Sequence, residues 1–289
     1  MSSFAPTLVA TQMKNILFAT DFSPCSVAAL PYAVALAERY GATIHLIHGL
    51  APEPIPEVRL YHSMELEAVR MSADLAMETL VATNSFGKIA STATVRQGPL
   101  LDVLEAFVEE KNIDLIVLGT HGRRGLKKLV LGSVAESVFR LAPCPVLTVG
   151  PEAMHEGAAD ASFKTILFAT DFYSASRRAL AYAVSMAQAN HSHLILLHAM
   201  SDSMEVPDLA RAGQRMADLI SAETMHELEP EIVAEAGPAA ETILRVARNK
   251  EADLIVMGAH HAEVAAHLPW TIASTVVCKA HCPTLTVRG

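Results

Sequence analysis

The sequence is poor in charge and in cysteine, and each shortage excludes a class of protein. Only 18% of its 289 residues are charged while 51% are hydrophobic, so packed cores are expected and a disordered chain is excluded. The formal net charge of −9 argues against nonspecific attraction to DNA, RNA or anionic lipid. Four cysteines in a chain of this length do not indicate a disulfide framework, which favours a reducing, cytoplasmic setting.

Long apolar runs are also missing from the sequence. No run approaches the roughly 18–20 residues that a bilayer-spanning helix needs, so we expect no membrane insertion. Residues 1–13 contain neither a basic region nor a long apolar stretch, and we expect no signal peptide there.

What the sequence does contain is a long internal repeat. Residues 14–22, Lys-Asn-Ile-Leu-Phe-Ala-Thr-Asp-Phe, return almost unchanged at 164–172, and residues 113–119 return at 252–258. Both copies end on Cys-Pro-x-Leu-Thr-Val. Matches in the same order from end to end indicate a duplicated domain, and the period is far too long for a solenoid of short repeats. We therefore divide the chain into residues 1–150 and 151–289.

Within each copy, short apolar runs alternate with segments of helical spacing. The strands expected in the first copy are 16–19, 43–48, 90–96, 113–118 and 146–149. The helices expected between them include 24–40, about 61–85, one opened by Gly98-Pro99, and about 133–141. This alternation predicts an α/β fold with two tandem, doubly wound, parallel five-stranded sheets.

Glycine recurs in the segment that follows the fourth strand, which reads Gly119-Thr-His-Gly122 and ends on Gly132-Ser133. Ligands of open parallel sheets bind beyond the carboxyl ends of the strands, so we expect this segment to lie beside Thr20-Asp21. Glycine allows main-chain N–H groups to face an anion, and the helix that begins at Ser133 presents the positive end of its dipole.

Basic residues inside this segment favour a polyphosphate ligand. Arg123, Arg124, Lys127 and Lys128 would screen its charge. For any single glycine, a tight turn with solvated neighbours is the simpler interpretation. The combined spacing Gly-x2-Gly-x9-Gly-Ser between a strand and a helix favours an anion site, and the absence of a Gly-Lys-Ser/Thr ending distinguishes it from the Walker loop.

These motifs resemble those of the universal stress protein family, and both copies match that family over nearly their whole length. The resemblance implies a Rossmann-like fold of the adenine nucleotide alpha-hydrolase type, with ATP and Mg²⁺ as ligands. It implies that the triphosphate lies on Gly122, Gly132, Ser133 and the N–H of Val134. Asp21 is implied to contact the ribose or adenine side, and Gly49 to offer main-chain groups to the adenine. The remaining lining consists of Thr20, Gly119 and His121, with Arg123 as a cation of the loop.

The resemblance also implies how the two copies pack. The fifth strands of the family's homodimers pair across a two-fold axis, so residues 145–149 are expected to pair with 283–287 in an intramolecular pseudo-dimer. Such pairing would cover sheet edges that otherwise invite aggregation. Association of two whole chains into a homodimer is left open.

The second copy departs from the motif. His261 stands where the first copy has Gly122, Trp270 replaces Gly132, and the basic residues give way to alanine and Glu263. A bulky side chain in place of a loop glycine blocks the close approach of phosphate. We therefore predict that the second copy binds ATP weakly or not at all.

Several histidines and cysteines suggest other chemistry. A zinc site is conceivable from the residue types alone at His260, His261, His267, Cys278, His281 and Cys282, but their spacing matches no standard zinc finger. Cys282 corresponds to Cys144 of the first copy, so we interpret both as core residues. Cys25 near a helix start could act in redox chemistry, although no other residue supports this. We interpret His48 and His198 as structural.

Three functions are consistent with this sequence. We favour a regulatory, stress-response module in which ATP orders residues 120–132, and we expect no dedicated enzyme. A slow ATPase or phosphotransferase is the first alternative, in which Asp21 holds Mg²⁺ and His121 lies near the γ-phosphate. An interaction protein without nucleotide is the second. The sequence does not identify a protein partner.

Overall fold

In the computed structural model, ten strands and ten helices are found within the described residues, which are 12–50, 61–84, 86–98, 100–120, 133–153, 161–200, 206–259 and 272–288. The strands of the first copy are β1 (Asn15–Ala19), β2 (Thr43–Leu50), β3 (Ser91–Gln97), β4 (Leu115–Gly119) and β5 (Val146–Val149). Those of the second copy are β6 (Thr165–Ala169), β7 (His193–Met200), β8 (Glu231–Ala236), β9 (Leu254–Ala259) and β10 (Thr284–Arg288).

The helices alternate with these strands. The first copy contributes α1 (Pro24–Val27), α2 (Leu30–Tyr40), α3 (Tyr61–Thr83), α4 (Leu100–Lys111) and α5 (Ser133–Leu141). The second contributes α6 (Ser174–Asn190), α7 (Val206–Ala217), α8 (Ala222–Leu228), α9 (Ala239–Asn249) and α10 (Ile272–Lys279). None of the helices in the described part of the chain is both long and apolar enough to span a membrane.

All ten strands belong to one sheet, in the order β3-β2-β1-β4-β5-β10-β9-β6-β7-β8. Within each copy the strands are parallel, and the order reverses between β1 and β4 and again between β6 and β9. The predicted α/β fold with two doubly wound halves is therefore confirmed. These reversal points are where open α/β sheets bind their ligands.

Both faces of the sheet are covered. Alternate residues of a strand point to opposite faces, and in β1 Ile16 and Phe18 join one hydrophobic cluster while Leu17 joins the other. Burial on both sides explains why β1 and β6 are uninterrupted apolar runs rather than alternating ones.

The two halves meet where β5 and β10 run antiparallel. Leu147 lies opposite Leu285, and Thr148 lies opposite Thr284. The Thr148 hydroxyl donates to the Thr284 carbonyl oxygen at 3.1 Å, and the Thr286 hydroxyl donates to the Val146 carbonyl oxygen at 3.2 Å. The expected pairing of the last strands is thus found, and it turns two five-stranded sheets into one.

One expected helix is interrupted. Residues 24–40 were expected to form a single helix, but α1 ends at Val27 and α2 begins at Leu30. Pro31 explains the break because its nitrogen carries no hydrogen to continue the helical bonding. The second copy has Ala181 at the corresponding position, and α6 runs without interruption. The remaining expected elements of the first copy differ from the observed bounds by two residues or fewer.

His45 of β2 is a buried imidazole with both ring nitrogens engaged. Its Nδ1 lies 2.8 Å from the Thr92 hydroxyl, and its Nε2 lies 3.2 Å from the Asn15 side-chain oxygen. Burial, and secondarily the charge of Lys111, lowers the pKa of His45 below its ordinary value.

This lowered pKa predicts a loss of stability in acid. Because the unfolded chain binds a proton to residue 45 more readily than the folded chain does, the contribution is complete above about pH 6.5 and is lost as the pH falls from there through the lowered pKa of His45. Urea unfolding measured between pH 7.5 and 5 should show a steeper fall for the wild type than for His45→Gln. Identical slopes would contradict the assignment.

Thr284 carries a buried hydroxyl for which no hydrogen-bond partner exists among the described residues. The residue is 1% exposed, and the matching position of the first copy is Val146. We predict that Thr284→Val raises the free energy of unfolding by about 1–2 kcal/mol, since an unpaired buried polar group is removed without a change of shape. Thermal and urea denaturation test this.

Thr148→Val and Thr286→Val are the matched controls for that substitution. Each removes a hydroxyl that donates across the junction, so each should lower stability by about 0.5–1.5 kcal/mol. A Thr284→Val protein that loses as much stability as either control would show that its hydroxyl is paired after all.

Candidate functional site

The candidate site of the first half lies at the carboxyl ends of β1, β2 and β4. Ala19 pairs with Ile47 on one side and with Leu118 on the other, so Thr20 and Asp21 emerge between Gly49 and Gly119. The main-chain N–H of Thr20 donates to the Ile47 carbonyl oxygen at 3.0 Å. Four of the site residues expected from the sequence are therefore neighbours at the reversal point.

The other expected site residues belong to the segment between β4 and α5. Ser133 and Val134 are the first two residues of α5, in agreement with the helix start expected there. His121, Gly122, Arg123 and Gly132 lie outside the described residues.

The turn that follows β1 is held by its own side chains. The Thr20 hydroxyl accepts from the main-chain N–H of Phe22 at 2.9 Å, and Oδ1 of Asp21 accepts from that of Ser23 at 3.0 Å. The Ser23 hydroxyl in turn caps α1 by accepting from Ser26 N. Phe22 is forced to a positive φ of 62°, which is costly for a bulky residue.

The second half repeats this turn almost atom for atom. Phe172 has a φ of 67°, Thr170 accepts from its N–H at 3.0 Å, and Asp171 accepts from the N–H of Tyr173 at 3.0 Å. Since the two halves share the geometry, the aspartate has a structural task in the turn besides any contact with a ligand.

A histidine stabilises each turn from the neighbouring strand. Nδ1 of His48 lies 2.7 Å from the Thr20 carbonyl oxygen, and Nδ1 of His198 lies 2.7 Å from that of Thr170. A carbonyl oxygen can only accept, so both nitrogens carry the hydrogen. The rings of His48 and Phe22 lie 4.5 Å apart, as do those of His198 and Phe172. These contacts agree with the structural interpretation of both histidines.

The phenylalanines of these turns were missed by the sequence reasoning. Phe22 and Phe172 both follow the Thr-Asp pair, and a histidine stands 26 residues after each of them, as the printed sequence shows. That joint recurrence was the available signal. Arg215 of α7 adds a cation to the second turn, with its guanidinium carbon 3.9 Å from the centroid of the Phe172 ring.

Close packing against the backbone of α1 requires a glycine at position 119. A Cβ atom at this position would lie 2.5 Å from the Cys25 carbonyl oxygen and 2.9 Å from the Ser26 Cα. At Gly258 of the second half, a Cβ would lie 2.4 Å from the Ser176 nitrogen. The missing side chain lets the helix after the first strand cross directly over the end of the fourth, and this requirement holds in both halves.

The second half has a cavity of about 270 Å³ at its own reversal point. It opens between the ends of β6, β7 and β9 and the starts of α9 and α10. The second-copy residues on which the predicted loss of ATP binding rests, among them His261, Glu263 and Trp270, lie outside the described residues.

The described residues do not assemble a metal site. Within the described ranges, no three His, Cys, Asp or Glu side chains lie together in a way that could hold a metal ion. His260 and His267 are outside those ranges, while Cys278, His281 and Cys282 are buried. None of the four cysteines, all of which lie in the described ranges, forms a disulfide, and burial raises the pKa of Cys144 to about 12, which keeps that thiol protonated. The Cys25 thiol is also buried and donates to the Val149 carbonyl oxygen at 3.8 Å.

Known proteins are similar to about half the length of this chain. A universal stress protein of Methanocaldococcus jannaschii is 33% identical over 139 residues, which are 47% of this chain and 81% of that protein. Universal stress protein A homolog 1 of Coxiella burnetii is 34% identical over 149 residues, covering 47% of this chain and 95% of its own.

A solved structure resembles the whole chain. It is a universal stress protein from Archaeoglobus fulgidus, which matches 96% of this chain and 99% of its own with a TM-score of 0.70 at 20% identity. At that identity the likeness concerns the fold. The model of the universal stress protein family matches twice, at residues 13–150 and 162–288, so the resemblance seen in the motifs is confirmed and the chain belongs to the universal stress protein family.

Proposed function

We propose that this protein is a nucleotide-dependent regulatory module that binds ATP, with Mg²⁺, in its N-terminal domain of residues 1–150. The observation that carries the proposal is the position of the glycine-rich segment. It leaves β4 at Gly119, at the reversal point of the sheet, and returns as α5 at Ser133. A loop that ends on a helix N-terminus at this edge offers main-chain N–H groups and a positive dipole to an anion.

The chemistry of the described neighbours fits the sugar and base of the same ligand. Asp21 is partly exposed, and an ionised carboxylate only accepts hydrogen bonds, which suits the hydroxyls of a ribose. Its Oδ1 is oriented by Ser23 N, so the carboxylate is held in place before a ligand arrives. Gly49 lies near the end of β2 beside this turn, where its main chain can contact an adenine.

The triphosphate is assigned to Gly122, Gly132, Ser133 and Val134, with Thr20, Gly119, His121 and Arg123 around it. In this proposal the ligand orders residues 120–132 and thereby changes the surface that a partner recognises. In this proposal the C-terminal domain of residues 151–289 binds ATP weakly or not at all. We also propose a cytoplasmic setting, which is supported by four cysteines that form no disulfide.

Gly132→Trp places in the first half the residue that the second half carries at the matching position. We expect it to weaken ATP binding by roughly a hundredfold or more in isothermal titration, because an indole ring there keeps phosphate away from the main chain. Adenosine, which has no phosphate, should lose much less affinity. Gly122→Ala should weaken ATP binding in the same direction.

Trp270→Gly is the matched control, since it makes the reverse change in the half that is proposed to bind ATP weakly or not at all. Its affinity for ATP should equal that of the wild type, and thermal denaturation of each variant verifies folding. Equal ATP affinity in the wild type, Gly132→Trp and Gly122→Ala would exclude the proposed site.

A slow ATPase is the second candidate, and the carboxylate at the reversal point is the observation that favours it. Phosphoryl transfer needs a metal-holding carboxylate, and Asp21 is the acidic residue that the turn presents there. Asp21→Asn keeps Oδ1 as an acceptor for Ser23 N, so the turn should survive while hydrolysis, measured as phosphate release with Mg²⁺, falls by roughly tenfold or more. Asp171→Asn is the control, and unchanged turnover in Asp21→Asn would reject this role.

A further inference from the structure

The cavity of the second half is a partly open space with a mostly apolar lining. Its volume is about 270 Å³, close to the lower end of the range for small-molecule pockets. Its walls include Phe139, Asp171, Leu197, Ala239, Ile243 and Met257.

Most of this lining is apolar, and one wall comes from the other half of the chain. Phe139 belongs to α5 of the first half, and it faces Leu197, Ile243 and Met257 of the second. Binding of an apolar molecule in a cavity with such walls is favourable, because it removes water from apolar surface.

At the β6 end of the cavity, the side chains offer acceptors rather than donors. The Thr170 hydroxyl donates to the Ser176 hydroxyl at 3.2 Å. The single hydrogen of the Ser176 hydroxyl is directed to Oδ1 of Asp171 at 2.7 Å or to the Tyr173 carbonyl oxygen at 2.9 Å. Both hydroxyl hydrogens are therefore used inside the protein, and a ligand that reaches this end must supply its own donor.

The full side-chain charge among the described residues that line the cavity is negative. Among the described residues that line it, Asp171 is the one with a charge, and this side chain is exposed at the mouth. Arg215 lies over the neighbouring Phe172 ring and outside the lining. A carboxylate at the mouth of a low-dielectric cavity attracts cations and repels anions.

We propose that this cavity binds a compact, largely apolar small molecule that is uncharged or cationic and carries a hydroxyl or amine donor. The donor meets Asp171, and the apolar part lies against Phe139, Leu197 and Met257. This site is separate from the proposed ATP site, and its ligand class differs from a polyphosphate in charge.

Three one-ring probes that differ in charge test the ligand class. Benzylamine, benzyl alcohol and benzoate are titrated into the full-length protein in the presence of saturating ATP, and binding is followed by saturation-transfer NMR. We expect benzylamine to bind roughly tenfold more tightly than benzoate, with benzyl alcohol between them. Benzoate that binds as tightly as benzylamine, or the absence of binding by all three probes, would overturn the proposal.

Two variants locate the probes in the cavity. Ala239→Leu introduces the residue that the first half carries at the matching position, Leu100, and fills the cavity from α9. This variant should weaken the binding of benzylamine and of benzyl alcohol by roughly tenfold. Asp171→Asn keeps the acceptor oxygen of the turn and removes the negative charge. It should therefore weaken the binding of benzylamine by about fivefold and that of benzyl alcohol by less than about twofold.

Asp21→Asn is the matched control because it makes the same change in the turn of the first half. It should leave the affinity for all three probes unchanged. If Asp21→Asn weakens the binding of benzylamine while Asp171→Asn does not, the probe occupies the first half and the proposal is wrong. Should Ala239→Leu fail to fold, as judged by circular dichroism, the comparison of the two asparagine variants decides the question alone.

Discussion

The antiparallel contact between β5 and β10 is the constraint on which the rest of this architecture depends. Each half alone would expose its last strand as an apolar edge, and such edges pair with whatever strand is available. Here Leu147 and Leu285 lie opposite each other, and the hydroxyls of Thr148 and Thr286 each donate across the junction. This contact continues the hydrogen bonding of the sheet from one half into the other. It also places Phe139 of α5 in the wall of the cavity of the second half.

The turn after the first strand is the second fixed feature, and it is common to both halves. Threonine, aspartate, phenylalanine and a histidine from the next strand hold it in the same conformation twice, with φ values of 62° and 67° at Phe22 and Phe172. The residues that we propose to contact a ligand therefore lie on a turn whose backbone strain is balanced by its own hydrogen bonds. The differences between the halves lie in what surrounds this scaffold. The sequence of the first half continues into a segment rich in glycine and basic residues, whereas the sequence of the second half keeps neither feature.

The fold could be predicted from the sequence because its signals were local and repeated. Uninterrupted apolar runs identified the strands, and the end-to-end repeat identified the duplication. The break at Pro31 was missed since the surrounding spacing is helical on both sides.

The candidate site was predictable in part: Thr20, Asp21, Gly49 and Gly119 do meet at the reversal point. The packing role of Gly119 was not, because the contact that requires it comes from Cys25 and Ser26, far away in the chain. The 270 Å³ cavity depends on a residue from the opposite half, and no periodicity within one copy contains that information.

Joining two such domains in one polypeptide has a consequence for how the sites can change over evolutionary time. In an assembly of two identical subunits, every substitution appears on both sides of the symmetry axis, so a site cannot be altered without altering its twin. In this chain the covalent connection and the β5–β10 pairing keep the two halves at a fixed one-to-one ratio. The sequences of the two halves can nevertheless diverge independently. One half can thereby keep the glycine-rich segment while the other half loses it and still remains paired with its neighbour.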